Sequence, residues 1–247
     1  NDILLNMNKQ HITLLVLLNL SAAFDTVDHS LLLNQLCSFG VRSTALSWFE
    51  SYLSNRNQRV VVSGSSSKQY YLKFGVLQGS CLGPLLFVIY SSELYQIIIN
   101  HLPGVAIFAD DSQLWISYKP DSKQNQDSAY ESVQKCLSDI KKWMLKKKLK
   151  MNDGKTEFLL ILIKQQLKKI DHRPIQIGNE LVESVHFARN LGCWFDGNMS
   201  FKNSNQQNLQ CWILSSQEHQ QNKKILITRI NGIAYSLFYN KQTGLLQ

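Results

Sequence analysis

The sequence predicts an α+β fold with helices packed on one face of a sheet. Two observations support this prediction. Apolar runs of strand length alternate with helical periodicity, in the order strand, helix, helix, hairpin, helix, hairpin, helix, strand. The two hairpins supply antiparallel pairs, and helices that alternate with antiparallel pairs are typical of an α+β domain.

The first half of the chain begins with the apolar run "HITLLVLLNLS", which we expect to be a strand buried on both faces. A helix follows in "HSLLLNQLCSFG", where Asp28 is the candidate N-cap and Gly40 the candidate stop. A second helix is predicted in "STALSWFESYLSNR", with Leu46, Phe49 and Leu53 on one face. The β-prone runs "QRVVVSG" and "QYYLKFGV" are joined by the serine-rich turn "SGSSSK".

The second half opens with "LGPLLFVIYSSELYQIIINHL", one helix with a Gly-Pro start. The stretch "VAIFADDSQLWI" predicts two short strands with Asp110 and Asp111 where the chain reverses. Residues 127–149 have helical spacing and end in the basic run "KKWMLKKKLK". The run "EFLLILI" predicts a further buried strand, and "NLGCWF" a short strand before a turn. Beyond about residue 164 the periodicity weakens.

Composition limits the partners. The 247 residues contain 26 Lys and Arg against 18 Asp and Glu, a formal net charge of +8. This excess favours a polyanionic partner, with nucleic acid first and a membrane surface second; an ordinary basic protein is the alternative. The longest apolar runs are too short or too interrupted to span a bilayer, so we expect no membrane partner. The chain begins within an apparent core segment, without Met, which predicts a fragment.

The five cysteines are scattered and include no C-x-x-C pair, so neither a disulfide framework nor a structural zinc site is expected. Buried reduced thiols and a reducing compartment are the interpretation.

The adjacent acids at 110 and 111 lie between two apolar runs, where like charges repel. They are either a polar turn or a cation site. Polymerases join a nucleotide to a primer with two divalent metals about 4 Å apart, and such metals need carboxylate ligands. A third acid would therefore be expected at the end of a neighbouring buried strand.

A buried strand that could carry this third acid exists in "LLVLLNLSAAFDTVDHSLLL", and "GVLQGSCLGPLLFVIY" and "IFADDSQLW" follow in order with sensible spacing. With "LKMNDGKTEFLLI" and "ARNLGCWFDGNMSF", they resemble the reverse transcriptases of non-LTR (LINE-type, jockey-like) retrotransposons over most of residues 12–201, and more weakly over 225–247. The resemblance implies an RNA-directed DNA polymerase with the right-hand palm, a split β-α-β, ferredoxin-like sheet. It also implies Mg²⁺ or Mn²⁺ in a two-metal site, and as partners an RNA template, a DNA primer and deoxynucleoside triphosphates.

The domains implied are a palm core over residues 1–201, with the fingers largely missing, and a degenerate thumb-like helical remnant over residues 202–247. The family works in the nucleus and the cytoplasm, which is the expected localisation.

The resemblance also assigns site residues by position. Asp110 and Asp111 match the metal-binding pair. Phe24 matches the steric gate that excludes a 2′-hydroxyl, although it could be only a core aromatic. Lys155 matches a lysine proposed to protonate the pyrophosphate leaving group, or it is simply solvated. The remaining matches are the triphosphate-facing backbone (Leu20, Ser21, Ala22, Ala23), the template and nucleotide loop (Gln78, Gly79), which could be a simple turn, and the primer-grip hairpin (Leu191, Gly192).

The main departure from the family is at the first metal ligand, an Asp for which this chain has Asn19. An Asn oxygen can coordinate a cation but carries no charge, so the expected site falls from three carboxylates to two. Leu77 also replaces a proline, and Phe108 replaces a tyrosine. Three interpretations stay open: a reverse transcriptase palm that is inactive as it stands, a catalytically silent nucleic-acid-binding module, and a retroelement fragment without function.

Overall fold

The computed structural model describes residues 2–177, 180–191 and 193–199. The helices are α1 (Asp2–Asn8), α2 (His29–Ser38), α3 (Ser43–Leu53), α4 (Gly83–Tyr90), α5 (Ser92–Ile99) and α6 (Lys123–Lys146). The longer strands are β1 (Ile12–Ser21), β6 (Gly104–Phe108), β7 (Asp111–Tyr118), β9 (Glu157–Ile161), β12 (Phe187–Asn190) and β13 (Cys193–Asp196). The short strands are β2 (Asn57–Gln58), β3 (Val61–Val62), β4 (Ser65–Ser66), β5 (Tyr70–Tyr71), β8 (Lys150–Met151), β10 (Ile175–Ile177) and β11 (Glu180–Val182).

The described residues fall into two compact units. The first unit contains residues 2–23 and the described residues from 91 to 199, and the second contains residues 24–90. The predicted division at about residue 201 stays a prediction, because residues 200–247 lie outside the described part of the chain.

Strand β1 is the centre of the sheet in the first unit. It pairs with β7 along one edge and with β9 and β8 along the other, and β6 pairs with β7. All of these pairs are antiparallel. The residues of β1 from Ile12 to Leu18 are at most 3% exposed. The prediction of a strand buried on both faces is therefore confirmed.

Both faces of this sheet are covered. On one face Phe158 of β9 meets Tyr130 of α6, with ring centroids 6.2 Å apart. On the other face Leu15 and Leu17 pack with residues of the β12–β13 hairpin, and Ile3 of α1 joins them. The prediction of helices on one face only was wrong, because the uninterrupted apolar run of β1 leaves two faces to cover.

Helix α6 confirms the predicted apolar stripe, since Val133, Leu137, Ile140 and Met144 are all buried. It begins four residues before the predicted start, where Ser122 Oγ accepts a hydrogen bond from Asn125 N at 3.2 Å.

The single helix predicted from the Gly-Pro start is two helices. The break falls at Ser91, whose backbone (φ −93°, ψ 5°) leaves helical geometry between α4 and α5.

The second unit contains α2, α3, α4 and the short strands β2 to β5. Asp28 caps α2 as predicted, because its Oδ1 accepts a hydrogen bond from Leu31 N at 3.0 Å. Gly40 follows the end of α2 with φ +89°. The serine-rich turn is tighter than predicted, since Ser65–Ser66 pairs with Val61–Val62.

Among the described residues, no helix is long and apolar enough to cross a bilayer.

None of the four described cysteines is in a disulfide. Cys136 and Cys193 are buried as expected, whereas Cys81 is exposed.

Candidate functional site

The predicted acid pair lies at the end of the β1–β7 pairing in the first unit. Asn19 of β1 is the register partner of Asp111 of β7. The Asn19 Nδ2 donates a hydrogen bond of 2.7 Å to Asp111 Oδ1. The next residue, Leu20, donates its backbone N–H to the Asp110 carbonyl at 3.2 Å. The structure therefore brings the three predicted ligand positions together.

The chain reverses between β6 and β7 through a two-residue loop, Ala109 and Asp110, because Phe108 pairs directly with Asp111. Ala109 adopts a left-handed backbone with φ +53°, which is unfavourable for a residue with a Cβ. The predicted hairpin is confirmed, with Asp110 in its loop and Asp111 as the first strand residue.

Burial dominates the electrostatics of Asp111. Desolvation raises the pKa of this carboxyl above its usual range, and the charge of Asp110 raises it further. The hydrogen bond from Asn19 and the charge of Lys155 oppose these effects. The carboxylate thus accepts a hydrogen bond from a neutral amide, and one exposed cation, Lys155, lies near enough to lower its pKa.

Backbone hydrogen bonds place Lys155 near this site. Asn152 donates its N–H to the Asn19 carbonyl at 2.9 Å, and Lys155 N donates to the Asn152 carbonyl at 3.1 Å in a single 3₁₀ turn. The side chain of Lys155 is exposed. This placement brings the predicted general acid near Asp111 and tests neither its chemical role nor the solvated alternative.

The donor set does not fit two divalent cations. Two carboxylates are present, and the Asn19 amide directs a hydrogen, not an oxygen, at Asp111. In the part of the chain that the structure describes, no group of three or more His, Cys, Asp or Glu could hold a metal.

The β12–β13 hairpin contains the predicted primer grip. Leu191 lies at its tip with φ +49°, and Gly192 lies outside the described residues. The pairing of Asn190 with Cys193 confirms that this segment is a hairpin.

A buried amide pair that the sequence did not reveal ties this hairpin to the sheet. Gln113 Nε2 donates to Asn190 Oδ1 at 2.7 Å, and the two residues are 6% and 8% exposed. Gln113 is two residues from Asp111, so both side chains project from the same face of β7. The hairpin tip is therefore anchored beside the acid pair. In the sequence, the alternation of side chains along β7 could have indicated that Gln113 is buried. It could not have identified Asn190 as the hydrogen-bond partner.

The triphosphate-facing backbone predicted at residues 20–23 lies at and just beyond the end of β1. Leu20 and Ala23 are buried, Ser21 is half-buried, and Ala22 is exposed with φ +46°. Leu20 and Ser21 pair with β8.

The second unit brings together two other predicted segments. Val76 N donates to the Phe24 carbonyl at 2.8 Å, which joins the Phe24 segment to the loop that precedes Gln78. Phe24 is half-buried and stacks on Phe87 with ring centroids 4.9 Å apart. Its partial burial is compatible with both the gate and the core interpretation.

The Gln78–Gly79 loop is a tight turn with an exposed glutamine. Gly79 has φ +80°, and Ser80 Oγ donates to the Leu77 carbonyl at 2.8 Å. At Gly83 an added Cβ would lie 2.4 Å from the same carbonyl, so this position requires glycine. These contacts hold the loop although Leu77 replaces the family proline. Gln78 lines a cavity of about 440 Å³.

Comparison with known proteins adds direct evidence. The family model "Reverse transcriptase (RNA-dependent DNA polymerase)" matches residues 3–226. The chain belongs to the reverse transcriptase family. A Popillia japonica protein, the retrovirus-related Pol polyprotein from type-1 retrotransposable element R2, is 31% identical over 39% of this chain and 18% of its own length. The probable RNA-directed DNA polymerase from transposon BS of Drosophila melanogaster is 27% identical over 75% of this chain and 20% of its own length.

These relatives are reverse transcriptases of non-LTR retrotransposons, which confirms the resemblance drawn from the motifs. The chain spans about a fifth of their length. Among solved structures, apo telomerase from Candida tropicalis, truncated from its C-terminal domain, shares the fold with a TM-score of 0.52 and 14% identity, over 81% of this chain and 37% of that chain. This chain therefore contains a retrotransposon reverse transcriptase domain with a reverse transcriptase-like fold.

Proposed function

We propose that the first unit is a polymerase palm whose nucleotidyl-transfer activity has been lost through Asn19. The strand order supports the palm assignment. β7 lies between β1 and β6 and is antiparallel to both, so β1 and β6 run parallel with helices between them in sequence. That arrangement matches the order of a split β-α-β, ferredoxin-like sheet, with β9 as the strand on the far edge of β1, and this match supports the proposal.

The observation that carries the loss of activity is the 2.7 Å hydrogen bond from Asn19 Nδ2 to Asp111 Oδ1. An active family member supplies three carboxylates to two divalent cations. Here an uncharged amide donates to one of the two remaining carboxylates and competes for the oxygen that a cation would bind. Each 1.36 kcal/mol of lost transition-state stabilisation is about tenfold in rate, so losing one metal-ligand charge reduces activity by several orders of magnitude.

The partners expected from the family, an RNA template, a DNA primer and deoxynucleoside triphosphates, are part of this proposal, as is action in the nucleus or cytoplasm. Phe24 is proposed as the gate, Gln78 and Gly79 as the support of template and nucleotide, and Leu191 as part of the primer grip. Asp110 and Asp111 together suit one weakly held Mg²⁺ or Mn²⁺, not a functional pair.

A catalytically silent nucleic-acid-binding module is the second candidate, and the basic end of α6 favours it. In this run Lys142 Nζ contacts Asp139 at 2.8 Å, and Lys147 Nζ contacts Glu93 at 3.1 Å. Lys146, Lys148 and Lys150 are exposed. Exposed cations at this density suit phosphates, and such binding weakens steeply with salt.

Primer extension on an RNA template tests the proposal. Four forms of the chain are compared in Mg²⁺ and then in Mn²⁺. They are the natural chain, its Asp110→Ala, Asp111→Ala variant, Asn19→Asp, and Asn19→Asp combined with Asp110→Ala and Asp111→Ala. We expect extension from Asn19→Asp alone. Extension by the natural chain above the level of an Asp110→Ala, Asp111→Ala variant would contradict the proposed loss.

If neither the natural nor the repaired chain extends although both bind primer–template with salt-dependent affinity, the silent binding module is supported instead. A broad, non-cooperative melt without binding would support a fragment without function.

A further inference from the structure

Helix α3 and the residues after it present an aromatic–basic face, defined by Trp48, Tyr52 and Arg56. Trp48 and Tyr52 are spaced four apart on α3 and lie along one side of the helix, and Arg56 follows three residues after the helix ends at Leu53. All three belong to the second unit and are separate from the acid pair. The face does not contain any of the site residues that the family motifs assign.

The planar groups on this face are stacked on one another. The Trp48 and Tyr52 rings lie 5.4 Å apart at an interplanar angle of 11°. The Arg56 guanidinium lies 5.1 Å from the Tyr52 ring centroid. Phe49 contacts Trp48 edge-on at 5.1 Å, which supports the Trp48 ring from the side. The face is therefore an ordered stack and not a set of independent surface side chains.

The stack is accessible at one end and continues into a cavity at the other. Trp48 is 52% exposed, an unusual fraction for so large an apolar side chain. Tyr52 and Arg56 also line the cavity of about 440 Å³ that contains Gln78. Phe74, half exposed, lies in the same lining. Stacking surfaces thus extend from the surface of α3 to the loop that carries Gln78.

The charge around this face indicates the kind of ligand. Residues 51–90 contain Arg56, Arg59, Lys68 and Lys73 and no Asp or Glu. Asp25 is the acidic residue in the cavity lining, so the cavity is polar as well as basic. Aromatic planes next to an excess of cations, with Asp25 and Glu50 as the nearby acids in the sequence and the lining, match the bases and phosphates of a nucleic-acid strand better than they match an apolar protein surface.

We propose that the aromatic–basic face binds single-stranded nucleic acid, with an unpaired base stacked on Trp48 and the strand continuing past Arg56 toward Gln78. Bases in a duplex are stacked on each other and leave no face for Trp48, so this site recognises the unpaired part of a template. The inference rests on the nucleic-acid binding proposed above, and it assigns that binding a face outside the acid-pair site.

Fluorescence anisotropy of the full chain tests this site with three labelled probes: a 16-nucleotide single-stranded RNA, a DNA of the same sequence, and the corresponding blunt duplex. Trp48→Leu keeps apolar area but removes the planar ring, and it should weaken single-strand binding by roughly 5- to 100-fold. Trp48→Phe should retain most of the affinity. Duplex binding should change by less than about twofold in both variants.

Arg42→Ala is the matched control for Arg56→Ala, because Arg42 is the exposed basic residue that precedes α3. Loss of Arg56 should weaken single-strand binding more than loss of Arg42. Two results would overturn the site: equal losses of single-strand affinity in Arg56→Ala and Arg42→Ala, or an unchanged single-strand affinity in Trp48→Leu with a native melting curve. Neither result would overturn duplex binding by the chain. Failure of the natural chain to bind any of the probes would overturn both this site and the nucleic-acid binding on which it rests. Comparing the affinities for the RNA and DNA probes shows which of the two nucleic acids the face prefers.

Discussion

The acid pair of the first unit and the aromatic–basic face of the second differ in how their functional groups are partnered. Asp111 is half-buried and already accepts a hydrogen bond from Asn19. Trp48 is half exposed and contacts the rings of Phe49 and Tyr52. In the first site a carboxylate oxygen already has a hydrogen-bond donor from the chain, whereas the second site exposes aromatic surface that a ligand would cover. Under the two proposals above, this contrast separates nucleic-acid binding from nucleotidyl transfer.

The largest expected effect is on the free energy of unfolding, compared at one aromatic residue from each unit. Phe158 lies in strand β9 of the first unit's sheet and is fully buried, whereas Tyr71 of the second unit is 69% exposed. Phe158→Ala should lower the free energy of unfolding by about 3–5 kcal/mol, and Tyr71→Ala by less than about 0.5 kcal/mol. Urea unfolding of the full chain measures both. A comparable loss from Tyr71→Ala would mean that the exposed aromatics of the second unit are structural.

An intermediate effect is expected at the buried amide pair that anchors the hairpin. Gln113→Ala leaves the Asn190 side chain buried without its donor, which should cost about 1–3 kcal/mol of unfolding free energy. Gln58→Ala, at an exposed position, is the matched control. A double-mutant cycle with Asn190→Ala should give a coupling energy of at least about 0.5 kcal/mol. Additive losses would show that the pair does not hold the hairpin to β7.

The smallest expected effect is the pH dependence at Asp111. Burial raises the pKa of its carboxyl in the folded chain, so the folded state binds that proton more tightly than the unfolded state does. The stability that this group contributes is present at low pH and is lost as the pH rises through the folded pKa. Asp111→Asn should therefore be more stable than the natural chain at pH 7, and this advantage should disappear as the pH falls below the usual range of aspartate.

Asp139 provides the control of opposite sign. Hydrogen bonds from Lys142 and His101 lower the pKa of its carboxyl, so its contribution is present at neutral pH and is lost in acid. Asp139→Asn should be less stable than the natural chain at pH 7. Thermal melts at several pH values measure both differences. The same sign for the two variants would contradict the assigned burial of Asp111.

How well each feature of the fold and the site could be predicted depends on how far apart in the sequence its interacting residues are. The continuous apolar run of β1 and the stripe of α6 predict their own burial, since strand and helix periodicity are local. The acids at 110 and 111 were predictable as the end of a hairpin because apolar runs flank them, and the family resemblance placed them beside position 19, where the register of β1 and β7 has them. The hydrogen-bond direction at Asn19 and the Gln113–Asn190 pair depend on residues 92 and 77 positions apart, which no local pattern specifies.

Helix α3 shows the limit of local periodicity. Leu46, Phe49 and Leu53 were predicted to share one face, and of these Leu53 is buried. The four-residue spacing of Trp48, Tyr52 and Arg56 was available in the sequence, but only the structure shows that the rings stack and that Trp48 is exposed. The break between α4 and α5 at Ser91 could not be predicted from a proline or glycine, because neither residue occurs there.

The most direct test of the central claim is calorimetric titration of Mn²⁺ into the natural chain, Asn19→Asp, and the Asp110→Ala, Asp111→Ala variant. The hydrogen bond from Asn19 to Asp111 predicts one weak binding event in the natural chain and none in the double variant. It also predicts binding at least about tenfold tighter in Asn19→Asp, with a second cation taken up. Two tightly held ions in the natural chain, unchanged by Asn19→Asp, would contradict the account.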